Sequence, residues 1–137
     1  MEEKEKKLQE MYMNFQMVDQ HIKQLQKQLE MVTNQIVELT LTENGLDEFV
    51  RVKRGSEIFV PISSGIFAKA SIEDTTELLV NVGADVVVKK DVPSAKKLIQ
   101  KQIEDIKKFQ KQMIEELDKM TSYAAQIEGE LQEFAGH

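Results

Sequence analysis

The sequence predicts an α+β chain in which a long antiparallel coiled-coil hairpin carries two central β-hairpins. Three observations predict it: a heptad stripe at each end of the chain, a mirror relation between the two stripes, and a change of period in the middle. Composition divides the same way. All 13 Gln and all seven Met lie outside residues 44–93, whereas nine of the 12 Val lie between residues 50 and 92. A chain of 137 residues is one domain by default. Within it, residues 1–43 form the N-terminal coiled-coil helix, 44–92 the two hairpins, and 93–137 the C-terminal coiled-coil helix.

In the first arm the apolar positions are Leu8, Met11, Phe15, Val18, Ile22, Leu25, Leu29, Val32, Ile36 and Leu39, spaced alternately three and four residues apart. That is the a/d pattern of a coiled coil, sustained beyond the three or four heptads that make it distinctive. Gln, Lys, Glu and Asn fill the intervening positions, with no Gly or Pro to break the helix. Asn44-Gly45 supplies a left-handed stop. A helix over residues 3–43 is roughly 60 Å long at about 1.5 Å per residue.

The second arm opens at Asp91-Val92-Pro93-Ser94, an acidic cap with Pro inside the first turn. Its stripe is Ile99, Ile103, Ile106, Gln110, Met113, Leu117, Met120, Ala124, Ile127, Leu131 and Phe134. Gly129 lies inside this helix at a small local cost. Pairing positions whose numbers sum to 142 gives every first-stripe residue a partner in the second: Leu8 meets Phe134, Leu25 meets Leu117, Leu39 meets Ile103. A shift of one heptad fits almost as well. Either way the chain folds back on itself.

Between the arms the period changes. Phe49–Val52 and Ile58–Ile62 flank Arg54-Gly55-Ser56-Glu57, which predicts one hairpin turn. Ile66–Ile72 and Leu78–Val82 flank Glu73–Glu77, which predicts a second, and Gly83-Ala84 marks a bend before Val86-Val87-Val88. Continuous apolar runs of this kind suit burial on both faces. Two hairpins cannot bury two faces alone, and open edges invite aggregation. Several chains pooling their hairpins into a common sheet or barrel is the economical solution. Val60, Ile62, Phe67, Val80, Val82, Val86, Val87 and Val88 are the expected contacts of that assembly hub.

The same features exclude other classes. With no Cys, neither a disulfide framework nor a thiolate metal site is possible. No apolar run approaches the roughly 20 residues that span a bilayer, and the N-terminal sequence has no signal-peptide core. The net charge of −6 is spread as mixed signs along both arms, so no basic stripe offers itself to nucleic acid. No compact core is large enough to shape an enzyme pocket. His21 and His137 are the only histidines, with no second ligand spaced to join either. Glu2-Glu3, Glu104-Asp105 and Glu115-Glu116 are adjacent on their helices and diverge by about 100°, as solvated faces do. No phosphate-cradling loop and no catalytic constellation is present. Neither a metal nor a cofactor is expected.

Two long heptad arms around two hairpins resemble the prefoldin family, and its alpha-class subunit in particular. The local match is Val60-Pro61-Ile62-Ser63-Ser64-Gly65-Ile66-Phe67-Ala68-Lys69-Ala70. It resumes at Val80-Asn81-Val82-Gly83-Ala84-Asp85-Val86-Val87-Val88-Lys89-Lys90 and runs on through Asp91 to Ala95. The resemblance implies a hexamer of two alpha-class and four beta-class subunits with a double β-barrel hub. It further implies a cytoplasmic, ATP-independent chaperone that captures unfolded polypeptides at the coiled-coil tips and delivers them to a group II chaperonin. Two hairpins favour the alpha class, archaeal or its eukaryotic counterpart. A structural scaffold whose arms bind specific partner helices is the alternative, because scaffolds share the heptads.

The arm ends carry more apolar residues than a two-stranded seam uses, about two in seven. Leu8, Met11, Tyr12, Met13 and Phe15 of the first arm and Tyr123, Ile127, Leu131 and Phe134 of the second are the expected client-binding residues. Those on the stripe have an ordinary seam role as well. Tyr12, Met13 and Met17 lie off the stripe, where the seam has no use for them, and Met adapts to varied partners.

Overall fold

The computed structural model describes residues 2–136, so His137 lies outside the described residues. The element order is α1 (Glu2–Phe49), β1 (Glu57–Ser63), β2 (Ile66–Ser71), β3 (Glu77–Gly83), β4 (Val86–Asp91) and α2 (Val92–Ala135). By internal contacts the chain divides into two compact units. One, residues 1–36 with 105–137, holds the coiled coil of α1 and α2; the other, residues 37–104, holds the four strands and the adjoining helix ends.

In the first unit α1 and α2 are antiparallel, and the heptad stripes form the seam. Leu25, Val32, Met113 and Ile127 are buried, and the remaining stripe residues of this unit are half-buried. Gln110, the one polar stripe member, donates from Nε2 to Thr33 Oγ1 at 3.2 Å. That places it beside Val32, the partner the mirror rule assigns, and excludes a register one heptad away. His21 and Glu116 lie 3.2 Å apart. Each directly precedes a seam residue, Ile22 and Leu117, so the bond ties two successive layers on one flank.

In the second unit Val92, Ala95, Ile99 and Ile103 are buried. Here α1 overruns the expected stop at Asn44-Gly45 and ends at Phe49. Gly costs about 1 kcal/mol in a helix interior, but Leu46 and Phe49 extend the half-buried stripe beyond it. Lys96 Nζ also donates to Asp47 Oδ1 at 2.7 Å, and Gln100 Nε2 to Glu43 Oε1 at 3.1 Å, so the last turns are tied to α2. Phe49–Val52 is therefore the tightening end of a helix rather than a strand: Arg51 N–H bonds Glu48 O, and Val52 N–H bonds Phe49 O.

The strands form two hairpins, as expected, but they pair differently. β1 pairs with β2 through Ser64-Gly65, and β3 with β4 through Ala84-Asp85. Gly65 takes φ 79°, while Ala84 and Asp85 hold φ 50° and 60° without being glycine. Positive φ at both Ala84 and Asp85 makes the two-residue turn that matches strand twist, and with the Ser64-Gly65 turn it replaces the longer turns expected at 54–57 and 73–77. Gly55 N–H instead donates to Ile72 O at 2.6 Å, extending the first ladder. Residues 73–76 link the hairpins, with Asp74 accepting from Thr76 N–H at 2.8 Å and Oγ1–H at 2.6 Å.

The two hairpins are also repeats of one another. Glu57↔Ser71 and Glu77↔Asp91 open ladders that shift register at the same place, between Pro61 and Ser63 and between Asn81 and Gly83. Lys69 reaches Glu57 at 2.8 Å and Lys89 reaches Glu77 at 3.7 Å. No strand residue is among the buried apolar residues. Each ladder is a separate two-stranded sheet.

α2 begins where the sequence places its cap. Ser94 N–H donates to Asp91 Oδ1 at 2.8 Å. Hydrogen bonding from Ser94, its hydroxyl first and its backbone N–H second, holds the Asp91 carboxyl below its ordinary pKa.

Candidate functional site

The end of the coiled coil, inside the first unit, gathers residues from both ends of the chain. Leu8, Met11 and Phe15 of α1 and Leu131 and Phe134 of α2 are half-buried. Tyr12, Met13 and Tyr123 are 55%, 63% and 46% exposed, and Met17 is 67% exposed. Ile127 is only 5% exposed and lies in the seam, so it has little free surface to offer. Of the others, off-stripe Tyr12, Met13 and Met17 are the most accessible.

Several grooves flank this end, and two of them bear on binding. The larger is an open cleft of about 680 Å³, lined by Lys4, Lys7, Glu10, Met11, Asn14, Glu130, Glu133 and Phe134. Met11 and Phe134 give it an apolar floor. The Lys4 ammonium lies 5.4 Å from the centroid of the Phe134 ring, within range of a cation–π contact. A smaller groove of about 290 Å³ lies between Tyr12, Phe15, Leu131 and Ala135, edged by Glu128 and Gln132. These surfaces suit weak, adaptable contact with an apolar chain. No group of His, Cys, Asp and Glu among the described residues is arranged to hold a metal ion.

Sequence reasoning missed the charged walls of the cleft. A signal for them exists: α2 carries no Lys or Arg after Lys119, yet places Glu128, Glu130 and Glu133 near its end. It also missed exposed apolar residues along the arms, among them Met31, Leu41 and Phe109, which follow no single heptad position.

The expected hub residues are accessible in the isolated chain. Ile62, Phe67, Val82, Val86 and Val87 are exposed, and Val60, Val80 and Val88 are half-exposed. Phe59 and Leu79, at equivalent places in the two hairpins, are 70% and 71% exposed and belong with them. Both faces of each hairpin thus present apolar side chains. No helix among the described residues is long and apolar enough to cross a membrane.

Comparison with known proteins accounts for this arrangement. The chain belongs to the prefoldin family: the family model, described as Prefoldin subunit, matches residues 18–137. A prefoldin subunit alpha of Methanobrevibacter smithii is 37% identical over 75 residues, 55% of this chain and 51% of that protein. The match therefore spans about half the length of that relative. A prefoldin subunit alpha of Methanococcus vannielii is 25% identical over 128 residues, 93% of this chain and 86% of the relative. A chain in the structure of filamentous PFD from Methanocaldococcus jannaschii superposes with a TM-score of 0.76 at 16% identity, covering 85% of this chain and 96% of that one. At that identity the likeness is one of fold: two long helices bracketing two hairpins.

Proposed function

We propose that this chain is the alpha-class subunit of an ATP-independent holdase. It holds unfolded polypeptides on the apolar end of its coiled coil and passes them to a group II chaperonin in the cytoplasm. Membership of the prefoldin family supports the chaperone role. The observation that carries the holding surface is the exposure of Tyr12, Met13 and Met17. A seam has no use for them, and a soluble helix does not ordinarily cluster large apolar side chains in water. The hairpins serve as the hub. Their apolar faces, with Phe59, Phe67, Leu79 and Val87 all more than half exposed, pack with beta-class subunits in a hexamer of two alpha and four beta chains.

The test is suppression of aggregation of an unrelated unfolded protein by the assembled complex, without nucleotide. Protection at a defined stoichiometry supports the reading. A complex that assembles but protects nothing defeats it and leaves the scaffold function.

A further inference from the structure

We propose that the larger cleft at the end of the coiled coil selects client segments in which an apolar side chain lies beside Arg or Lys. This rests on the client-holding reading above and names the class of segment held there.

Two independent features of the cleft point to a cation. The first is an intramolecular stand-in: Lys4 already occupies the aromatic face of Phe134 at 5.4 Å. A ring that holds a tethered ammonium from its own chain offers the same face to a guanidinium from another, and Arg stacks on aromatics more readily than Lys. The second is the placement of charge. Glu130 and Glu133 line the cleft near the end of α2, whose last turn has no basic residue. Backbone carbonyls already give that end a partial negative charge, which favours cations nearby. Carboxylates there are locally unfavourable, and Lys4 and Lys7 are the two cations the cleft sets against its three glutamates. Glu10 faces Glu130 and Glu133 from α1, and neither Glu10 nor Glu133 takes part in an ion pair among the described residues.

An apolar client side chain settles on Met11 and Phe134, while its basic neighbour displaces Lys4 and meets the three carboxylates. Lys4 and Lys7, at the other wall, repel a second cation and limit the preference to one or two charges per segment. An acidic segment meets three Glu against two Lys and is disfavoured.

The experiment uses the assembled complex of this chain with its partner subunits and three labelled peptides of identical apolar content. Their flanking residues are Arg, Ser or Asp, and affinity is read by fluorescence anisotropy at low and high salt. The Arg-flanked peptide is expected to bind about tenfold more tightly than the Ser-flanked one, with the gap shrinking at high salt as exposed charge pairs are screened. Glu130→Gln with Glu133→Gln in this chain should remove most of the gap. Phe134→Leu should narrow it while retaining apolar bulk, and Lys4→Ala should widen it by freeing the ring. Equal affinities, a preference for Asp, or a gap untouched by the glutamine variants would overturn the inference while the holdase reading stands. Failure to bind any of the three peptides would sink both.

Discussion

Two residues show how a local contact becomes a measurable property. Asp91 ends β4 and caps α2 by accepting from Ser94 N–H, which satisfies one of the helix's orphan donors; hydrogen bonds from the Ser94 hydroxyl and backbone together lower the Asp91 pKa. A folded pKa below the unfolded one means stability present above the ordinary carboxylate range and lost as pH falls through the lowered value. The protein should therefore lose thermal stability below about pH 4 more steeply than an Asp91→Asn variant, whose amide caps without titrating. Circular dichroism melts across that range check it, and parallel curves would remove Asp91 from the account. Ala84 and Asp85 present the opposite case, two non-glycine residues at positive φ. Such backbone costs about 1 kcal/mol or more per residue. Ala84→Asn with Asp85→Gly, the pair this turn prefers, should raise the melting temperature. A lower one would show that the turn side chains do something else.

Among the elements, the coiled coil and the hairpins bury apolar surface in different ways, and mutation should separate them. Leu25 is 5% exposed within the seam. Truncating a buried Leu to Ala costs about 2–5 kcal/mol, and the low end applies in a seam only two helices thick. Leu25→Ala should loosen the arm and leave the oligomer intact. Val87 is 54% exposed in the single chain, so Val87→Asp barely disturbs the lone hairpin. Once other chains cover that face, the same charge is buried without a partner, which costs several kcal/mol. It should abolish assembly. Size-exclusion profiles in the opposite order would reverse the roles assigned to arm and hairpin.

At the scale of the whole molecule, the eight buried apolar residues among the described ones are a thin core for a chain of this length, and none lies in a strand. A chain so short of core completes itself with partners. Produced alone, it should form ill-defined oligomers, and a beta-class partner should convert it to one species. A monodisperse monomer at micromolar concentration, seen by analytical ultracentrifugation, would contradict this. Holding and assembling should also separate. Replacing Met11, Tyr12, Met13 and Phe15 together with Gln or Ser keeps the helix but strips the apolar end. Assembly should survive while protection of an unfolded client falls several-fold. Unchanged protection would assign the holding surface to the partner subunits.

Much of this was legible in one dimension because its causes are periodic or local. The alternating three- and four-residue spacing determined both helices and their seam, and the mirror between stripes determined the antiparallel pairing that Gln110 and Thr33 bear out. Asp91-Val92-Pro93 determined where α2 starts, since a cap and a proline act over a single turn. Three things waited for the tertiary structure. The end of α1 moved from Asn44 to Phe49 because Leu46 and Phe49 find cover in the folded chain that no local signal announces. The strands paired across Ser64-Gly65 and Ala84-Asp85 because competing turns differ by about a kcal/mol and the ladders they close decide among them. The cleft of Met11, Phe134, Lys4 and three glutamates exists only because the chain's two ends meet. Residues more than a hundred positions apart share no sequence period, so only the fold brings their charges to one place.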